Sequence, residues 1–302
     1  GLIDLRAFYL RRALRLLPAL GVLLVVTLAL AFVGAGVSDP DTALRGALYA
    51  ALYVTDFVVG FGGEFAPELA HLWTLGVEEQ FYVVWPALLV LLVIRNRPEA
   101  LLRWVGWLVA LGVVARLLTM GLAWRHGWFF YALPTTWLDC FMAGAMLAVW
   151  MESRGRSRPA PRWTGRFVTG LAITTTLAIA LSPGAFLSPV TYIIGIPALT
   201  ASTVCLIGRA VLRPGGVLHR FLGLAWLQWL GDRSYGLYLF NSAFVLMMVA
   251  WLGPGLAARS AGMGVAIVSA ELSRRYVERP ALELKSRIRR RSSSAASLEP
   301  AP

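Results

Sequence analysis

Long apolar stretches separated by short polar ones dominate the chain, and their lengths carry the first information. A helix crossing the hydrocarbon layer needs about 20 mostly apolar residues. Leu16 to Val37 meets that length without a charge. So does Phe167 to Gly208, which is long enough for two helices, with breaks predicted at Ser182-Pro183-Gly184 and Ser188-Pro189. Trp104 to Trp124 holds one arginine, Arg116, and Gly127 to Met151 holds one acid, Asp139. Single charges at such depth require partners. Gln80 to Ile94, extended backward through Leu69 to Val77, joins Ser234 to Leu252 and Leu256 to Leu272 to complete eight predicted spans. The pattern predicts an all-α protein, a polytopic membrane helical bundle.

One further segment, Leu44 to Gly63, carries Arg45, Asp56 and glycines at 60, 62 and 63. Its length allows it to span, re-enter or lie in the interface, and the distribution of basic residues discriminates. Basic side chains concentrate in cytoplasmic loops. Here they cluster at residues 6 to 15 (four), 95 to 103 (three), 154 to 166 (five), 209 to 220 (three) and 274 to 291 (eight), which is 23 of 28. Two spans between each successive pair of clusters keep all clusters on one side. The first pair is already served by Leu16 to Val37 and Gln80 to Ile94, so Leu44 to Gly63 is predicted to be re-entrant or interfacial, where irregular backbone is tolerated if buried in protein. This scheme puts the C-terminus in the cytoplasm of a multi-pass cell-membrane protein. It sets His71, Trp73 and Glu78 near the outer side and the arginines at 11 to 15 on the inner.

Composition agrees. With 58% hydrophobic residues, 15% charged and a mean hydropathy of +0.67, the chain does not read as a soluble globule. The net charge of +12 raises nucleic acid as a partner. One lysine against twenty-seven arginines, scattered between apolar blocks, offers no continuous basic face, so no nucleic-acid partner is expected. Cys140 and Cys205 both lie inside apolar runs and are not expected to bridge. Residues 286–302, Arg-rich and then Ser/Ala-rich, read as a disordered tail whose basic part lies on anionic lipid.

Three polar groupings interrupt this apolar frame. In Phe8 to Pro18, Arg12 and Arg15 stand at i and i+3 and share a helix face. Two guanidiniums there suit a phosphate or carboxylate, since each offers planar bidentate donation and keeps its charge. A positive-inside anchor would look the same. In His71 to Pro86, the adjacent Glu78 and Glu79 with Gln80 stand at the mouth of an apolar span, and Glu78 and Tyr82 share a face. Glu78 reads equally as a general base, a hydroxyl-binding group or an ion-pair partner of Arg116. In Trp229 to Ser242, Ser234, Tyr238 and Asn241 or Ser242 form a polar stripe of the kind that also serves as interhelical glue. Asp139, followed by small residues at 143 to 145, reads first as an ion-paired helix contact. Three separated histidines, 71, 126 and 219, do not suggest a metal site.

In order along the chain, these blocks resemble the bacterial multi-pass membrane acyltransferases of the acyltransferase 3 family. Phe8 to Pro18 is similar to its F-Y-x-R-R-x-x-R-x-x-P block. Trp73 to Pro86 is similar to its W-S-L-x-V-E-E-Q-F-Y-x-x-W-P hallmark, with Thr74 for the usual serine. Trp137 to Ala148 and Gly231 to Asn241 resemble two later elements, with Asn241 where a histidine is frequent, and Glu278-Arg279-Pro280 matches the closing E-x-P. The resemblance runs from about Ile3 to Lys285, read as one membrane acyltransferase-like domain over 1–285.

The resemblance implies transfer of an acyl group, by expectation acetyl, from acyl-CoA as co-substrate to a hydroxyl of a carbohydrate or other cell-envelope or secondary-metabolite acceptor, with no bound cofactor. It assigns Arg12 and Arg15 to the donor and Glu78 with Tyr82 to supporting catalysis. Trp73, Asp139, Ser234, Tyr238 and Asn241 remain as further polar candidates. The family's opening helices, one of which carries the histidine proposed as base, have no counterpart here, and the family's ten helices less two is the eight counted above. The chain is therefore expected to be an N-terminally truncated member with little or no turnover of its own. A small-molecule transporter and a non-catalytic membrane scaffold are the rival readings.

Overall fold

The computed structural model describes residues 4–95, 98–126, 129–154, 161, 165–182 and 188–283. Among them, eight helices run for sixteen residues or more: α1 (Leu5–Phe32), α4 (Trp73–Arg95), α5 (Pro98–His126), α6 (Leu138–Arg154), α7 (Arg166–Leu181), α8 (Ile196–Leu212), α10 (Ala225–Leu252) and α11 (Leu256–Ser273). Three are shorter: α2 (Pro40–Ala51), α3 (Thr55–Gly60) and α9 (Val217–Leu222). Five helical stretches are long and apolar enough to cross a membrane by length and composition alone: Leu5–Phe32, Pro67–Val93, Ala100–His126, Thr191–Leu212 and Ala225–Leu252. The all-α polytopic membrane architecture follows. Large apolar side chains such as Val25, Trp107 and Leu118 lie exposed along these helices, a surface suited to lipid and not to water.

Helix ends depart from the hydropathy windows where local chemistry overrides apolar length. α1 starts well before Leu16 because the Asp4 carboxylate caps it, accepting from the Ala7 N–H at 2.9 Å. It stops short of Val37 because Gly34 takes a left-handed φ of +72° and Ala35 N–H closes on Leu30 O at 2.8 Å. The span predicted over Gly127 to Met151 is shorter still. Phe130–Ala132 and Pro134–Thr136 form 3-10 turns, and α6 begins only at Leu138. α10 runs unbroken through Asp232 and Arg233, whose charges are met by Arg274 and Glu271. Part of the break predicted between Ser182 and Pro189 lies outside the described residues, as does the basic tail 286–302.

Leu44 to Gly63 forms no single crossing helix. α2, capped by Asp39 with Pro40 at its first position, is 12 residues long. At about 1.5 Å per residue it falls well short of the roughly 30 Å hydrocarbon layer. Tyr53, at a left-handed φ of +56°, turns the chain into α3.

The chain forms two compact units, one made of Gly1–Ala87 with Trp229–Pro302 and one of Leu88–Gln228. In the first, α1, α2, the 3-10 turn Pro67–Leu72, the start of α4, α10 and α11 share a core. That core includes Leu20, Leu23, Leu69, Leu72, Leu239 and Phe240, all nearly inaccessible. α10 and α11 approach closely on small residues: a Cβ on Gly262 would stand 2.5 Å from Val245 Cα. In the second unit α5 packs on α6 and α7 on α8. Gly112 lets α5 reach the first turn of α6, where a Cβ would meet the Asp139 nitrogen at 2.5 Å.

Candidate functional site

Three helices of the first unit bring the polar groupings together. α1 carries Arg12 and Arg15 three residues apart, with Leu16 beside them. α4 carries Leu75, Glu78 and Tyr82 at spacings of three and four, and α10 carries Ser234, Tyr235 and Tyr238. These nine side chains line one open cleft of about 380 Å³. Arginines and Glu78 therefore share a cavity, which corrects the assignment of Glu78 to the outer side and Arg12 and Arg15 to the inner. The charge count placed loops and said nothing of depth. α1 begins at Leu5, so its arginines lie two to three turns inside the helix, and α4 begins at Trp73, so Glu78 also lies inside. The helices run antiparallel, Tyr9 against Val83 and Arg12 against Glu79, and the two sets meet.

Hydrogen bonds fix the walls. The Tyr9 hydroxyl donates to Val83 O at 2.7 Å, joining α1 to α4. The Tyr235 hydroxyl donates to Leu16 O at 2.8 Å, joining α10 to α1. The Tyr238 hydroxyl donates to His71 O at 2.8 Å, and its single proton is thereby used. The Thr74 hydroxyl, 2.7 Å away, therefore donates to the Tyr238 oxygen. The His71 ring lies edge-on to Tyr238 and its Nε2 is 3.1 Å from Leu239 O. A carbonyl only accepts, so Nε2 carries a proton.

The adjacent acids of α4 face different ways, as a rotation of roughly 100° per residue requires. Glu78 is exposed within the cleft. Glu79, with a side chain only 12% accessible, turns to α1, where Arg12 Nε lies 2.8 Å from both its carboxylate oxygens and Nη2 also meets Oε1. Arg12 is stacked on Tyr82, its Cζ 3.4 Å from the ring centroid. Arg15 is exposed in the cleft, and no ion pair holds it among the described residues.

Six of the expected site residues thus meet in one place: Arg12, Arg15, Glu78, Tyr82, Ser234 and Tyr238. Trp73 opens α4 but does not line the cleft, and Asn241 Nδ2 turns to the Tyr238 carbonyl of its own helix at 3.3 Å. Asp139 belongs to the second unit. There it pairs with Arg116 at 2.5 Å, so the alternative that joined Arg116 to Glu78 is corrected. Glu79, Thr74 and Tyr235 were not among the expected site residues. The signal for Glu79 was present, since of two neighbouring acids on a helix only one can face a given cavity.

Behind α4, Gln80 Nε2 donates to the buried Asp56 carboxylate and to Tyr53 O, fixing the α2–α3 turn against the helix. Burial pushes Asp56 up to about 6, against the bonds from Gln80 and the α3 backbone that favour its charged form. Burial likewise raises Tyr53 to about 12.

A family profile described as an acyltransferase domain, acyltransferase 3, matches residues 2–270. The peptidoglycan O-acetyltransferase OatA of Listeria monocytogenes is 29% identical over 295 residues, covering 92% of this chain and 46% of that protein. The O-acetyltransferase OatA of Staphylococcus aureus is 25% identical over 301 residues, covering 92% and 47%. The chain thus spans about half the length of these relatives. No solved structure matches it.

Proposed function

The chain belongs to the acyltransferase 3 family, and from that premise we propose that it takes part in moving an acetyl group from acetyl-CoA to a carbohydrate hydroxyl. The observation that carries this reading is the cleft itself, which sets two guanidiniums, a carboxylate, three phenols and a hydroxyl around about 380 Å³. The guanidinium side supplies charge-assisted donors for the donor's phosphates. Glu78 and Tyr82 orient the acceptor hydroxyl or the base that takes its proton. In the transfer, the hydroxyl oxygen bonds to the thioester carbonyl carbon, the C–S bond breaks, and the hydroxyl proton passes by way of the base to the leaving thiolate, so that coenzyme A departs as thiol. The naming of the Listeria relative as a peptidoglycan O-acetyltransferase supports a cell-wall glycan as acceptor.

Titration of the detergent-solubilised protein with coenzyme A in a calorimeter tests the donor half of the proposal. Saturable binding that weakens with salt is expected, and it should be lost when Arg12→Gln and Arg15→Gln are combined, which removes both guanidiniums from the cleft wall. Failure of the unaltered protein to bind coenzyme A at millimolar concentration overturns the donor assignment. Incubation with radiolabelled acetyl-CoA and glycan fragments then asks for label on the glycan.

A further inference from the structure

The proposed function puts both arginines at the donor, yet the structure gives them different surroundings. Arg12 is committed: Nε and Nη2 are taken up by Glu79, and its plane lies on Tyr82. The side chains of this pair are 22% and 12% accessible, so the carboxylate has little water to fall back on. Arg15, one turn further along the same face, is exposed, lines the cleft and has no carboxylate at ion-pair distance among the described residues. A guanidinium already neutralised by a partly buried carboxylate offers an incoming phosphate little net attraction, and drawing it away would strand Glu79 without a partner. Arg15 carries neither penalty, because the acid that feels its charge, Glu278, stands beyond ion-pair distance.

We infer that Glu79 is a positioning residue of the cleft and that the two arginines divide the work. Glu79 holds Arg12 flat against Tyr82 as a fixed wall, and Arg15 makes the ionic contact with the donor's phosphate. The inference rests on the donor reading above and deepens it. The neighbouring acids of α4 then have separate duties: Glu78 faces the bound molecules, and Glu79 fixes the wall without touching them. Tyr82, clamped by Arg12, is held in one rotamer beside Glu78 for the same reason.

Coenzyme A is the charged probe, and pantetheine, which lacks the phosphates, is the neutral one. Each is titrated into the full chain in detergent, with the melting temperature read in parallel. Arg15→Gln should melt like the parent and weaken coenzyme A binding at least tenfold, with a shallower salt dependence and unchanged pantetheine binding. Arg12→Glu and Glu79→Arg should each lower the melting temperature and weaken both probes, because the wall is lost. Combined, the two substitutions restore an ion pair in reversed order. The double variant should recover the melting temperature and bind coenzyme A within threefold of the parent.

A double variant that melts like the parent but binds coenzyme A tenfold more weakly overturns the division, since Arg12 itself would then contact the donor. Unchanged coenzyme A affinity in Arg15→Gln also overturns it, and this variant does not depend on the swap folding. If the parent binds no coenzyme A, the donor reading fails first and the division falls with it. The two failures are therefore distinguishable.

Discussion

Gln80 reaches Asp56 with one amide nitrogen that lies 3.0 Å from each carboxylate oxygen and 2.9 Å from the Tyr53 carbonyl. Asp56 is wholly inaccessible to solvent. The run Glu78-Glu79-Gln80 therefore points three ways, to the cleft, to α1 and to the turn between α2 and α3. A helix that must serve three neighbours in three consecutive positions has little freedom to rotate. The cleft geometry thus depends on contacts behind α4 as well as on those lining the cavity.

The buried Asp56 makes stability depend on pH with a definite sign. Its folded value of about 6 lies above the ordinary 3.8, so the folded protein holds this proton where the unfolded chain has released it. The contribution is fully present below about pH 4 and is lost as pH rises through 6, a span worth about 3 kcal/mol at most. Chemical unfolding in detergent between pH 4 and 7 should show this decline in the parent. Asp56→Asn, which cannot titrate, should remove that component. Equal slopes in the two proteins would refute the assignment.

Gly76 is the second support of the same contact. A Cβ there would stand 2.7 Å from Asp56 Oδ1 and 3.1 Å from Tyr53 O. Helix propensity alone makes Gly→Ala favourable by about 1 kcal/mol. At Gly76 the crowding should win, and Gly76→Ala should cost 1–3 kcal/mol, on the order of other overpacked sites. Gly106 on α5 is the control, because its Cβ would meet nothing within 4 Å. Gly106→Ala should leave the unfolding midpoint unchanged or raise it, and a similar loss at both glycines would sink the argument.

How much of this was legible beforehand can be judged from particular residues. Apolar run length found the long helices because burying unpaired backbone in lipid is prohibitive and leaves the sequence little choice. Basic clusters led to the reading that Leu44 to Gly63 does not cross. The i, i+3 and i, i+4 spacings correctly grouped Arg12 with Arg15 and Glu78 with Tyr82. Depth was not legible: a cap at Asp4 and a 3-10 turn at Pro67–Leu72 slide the arginines and acids into register, and neither leaves a mark on hydropathy. Partner choice was not legible either, since Arg116 had two acids within reason and only packing selects Asp139. Asn241 illustrates a third limit, because a position on the right stripe can still turn to its own backbone.

Tyr238 joins the cleft wall to the start of α4 through two hydroxyl contacts, one to Thr74 and one to His71 O. Tyr238→Phe removes both and leaves the half-buried Thr74 hydroxyl and His71 carbonyl with only their own long contact of 3.4 Å. A loss of 1–3 kcal/mol in unfolding free energy is expected. Thr74→Ser keeps the donor and loses one half-buried methyl, at a cost of less than about 0.8 kcal/mol, whereas Thr74→Val should approach the cost of Tyr238→Phe. Combining Thr74→Val with Tyr238→Phe should cost less than the sum, since both delete the same bond. Strict additivity in this cycle would mean that the hydroxyls do not interact.

Arg116 makes the most demanding claim on the second unit. Its side chain is 1% accessible, yet it finds a partner in every direction: Nε donates to Thr136 O at 2.9 Å, Nη1 to Tyr192 O at 3.0 Å and Nη2 to Asp139 Oδ1 at 2.5 Å. Cys140 Sγ, 3.2 Å from Nη2, also accepts from the Thr200 hydroxyl. Tyr192 lies in a π-helical turn, Thr191–Gly195, whose wider ring leaves carbonyls open to outside donors. One guanidinium therefore ties α5 to the turn before α6, to α6 itself and to the approach to α8. Asp139→Asn would keep the shape but leave a buried charge uncompensated, and a loss of about 3–5 kcal/mol is expected. Arg116→Met combined with Asp139→Leu removes both charges and should recover part of that loss, although the Thr136 and Tyr192 carbonyls lose their donor. Unfolding of the three proteins in the same detergent decides the matter. A double variant less stable than Asp139→Asn would show that the carbonyl contacts, and not the ion pair, hold this corner together.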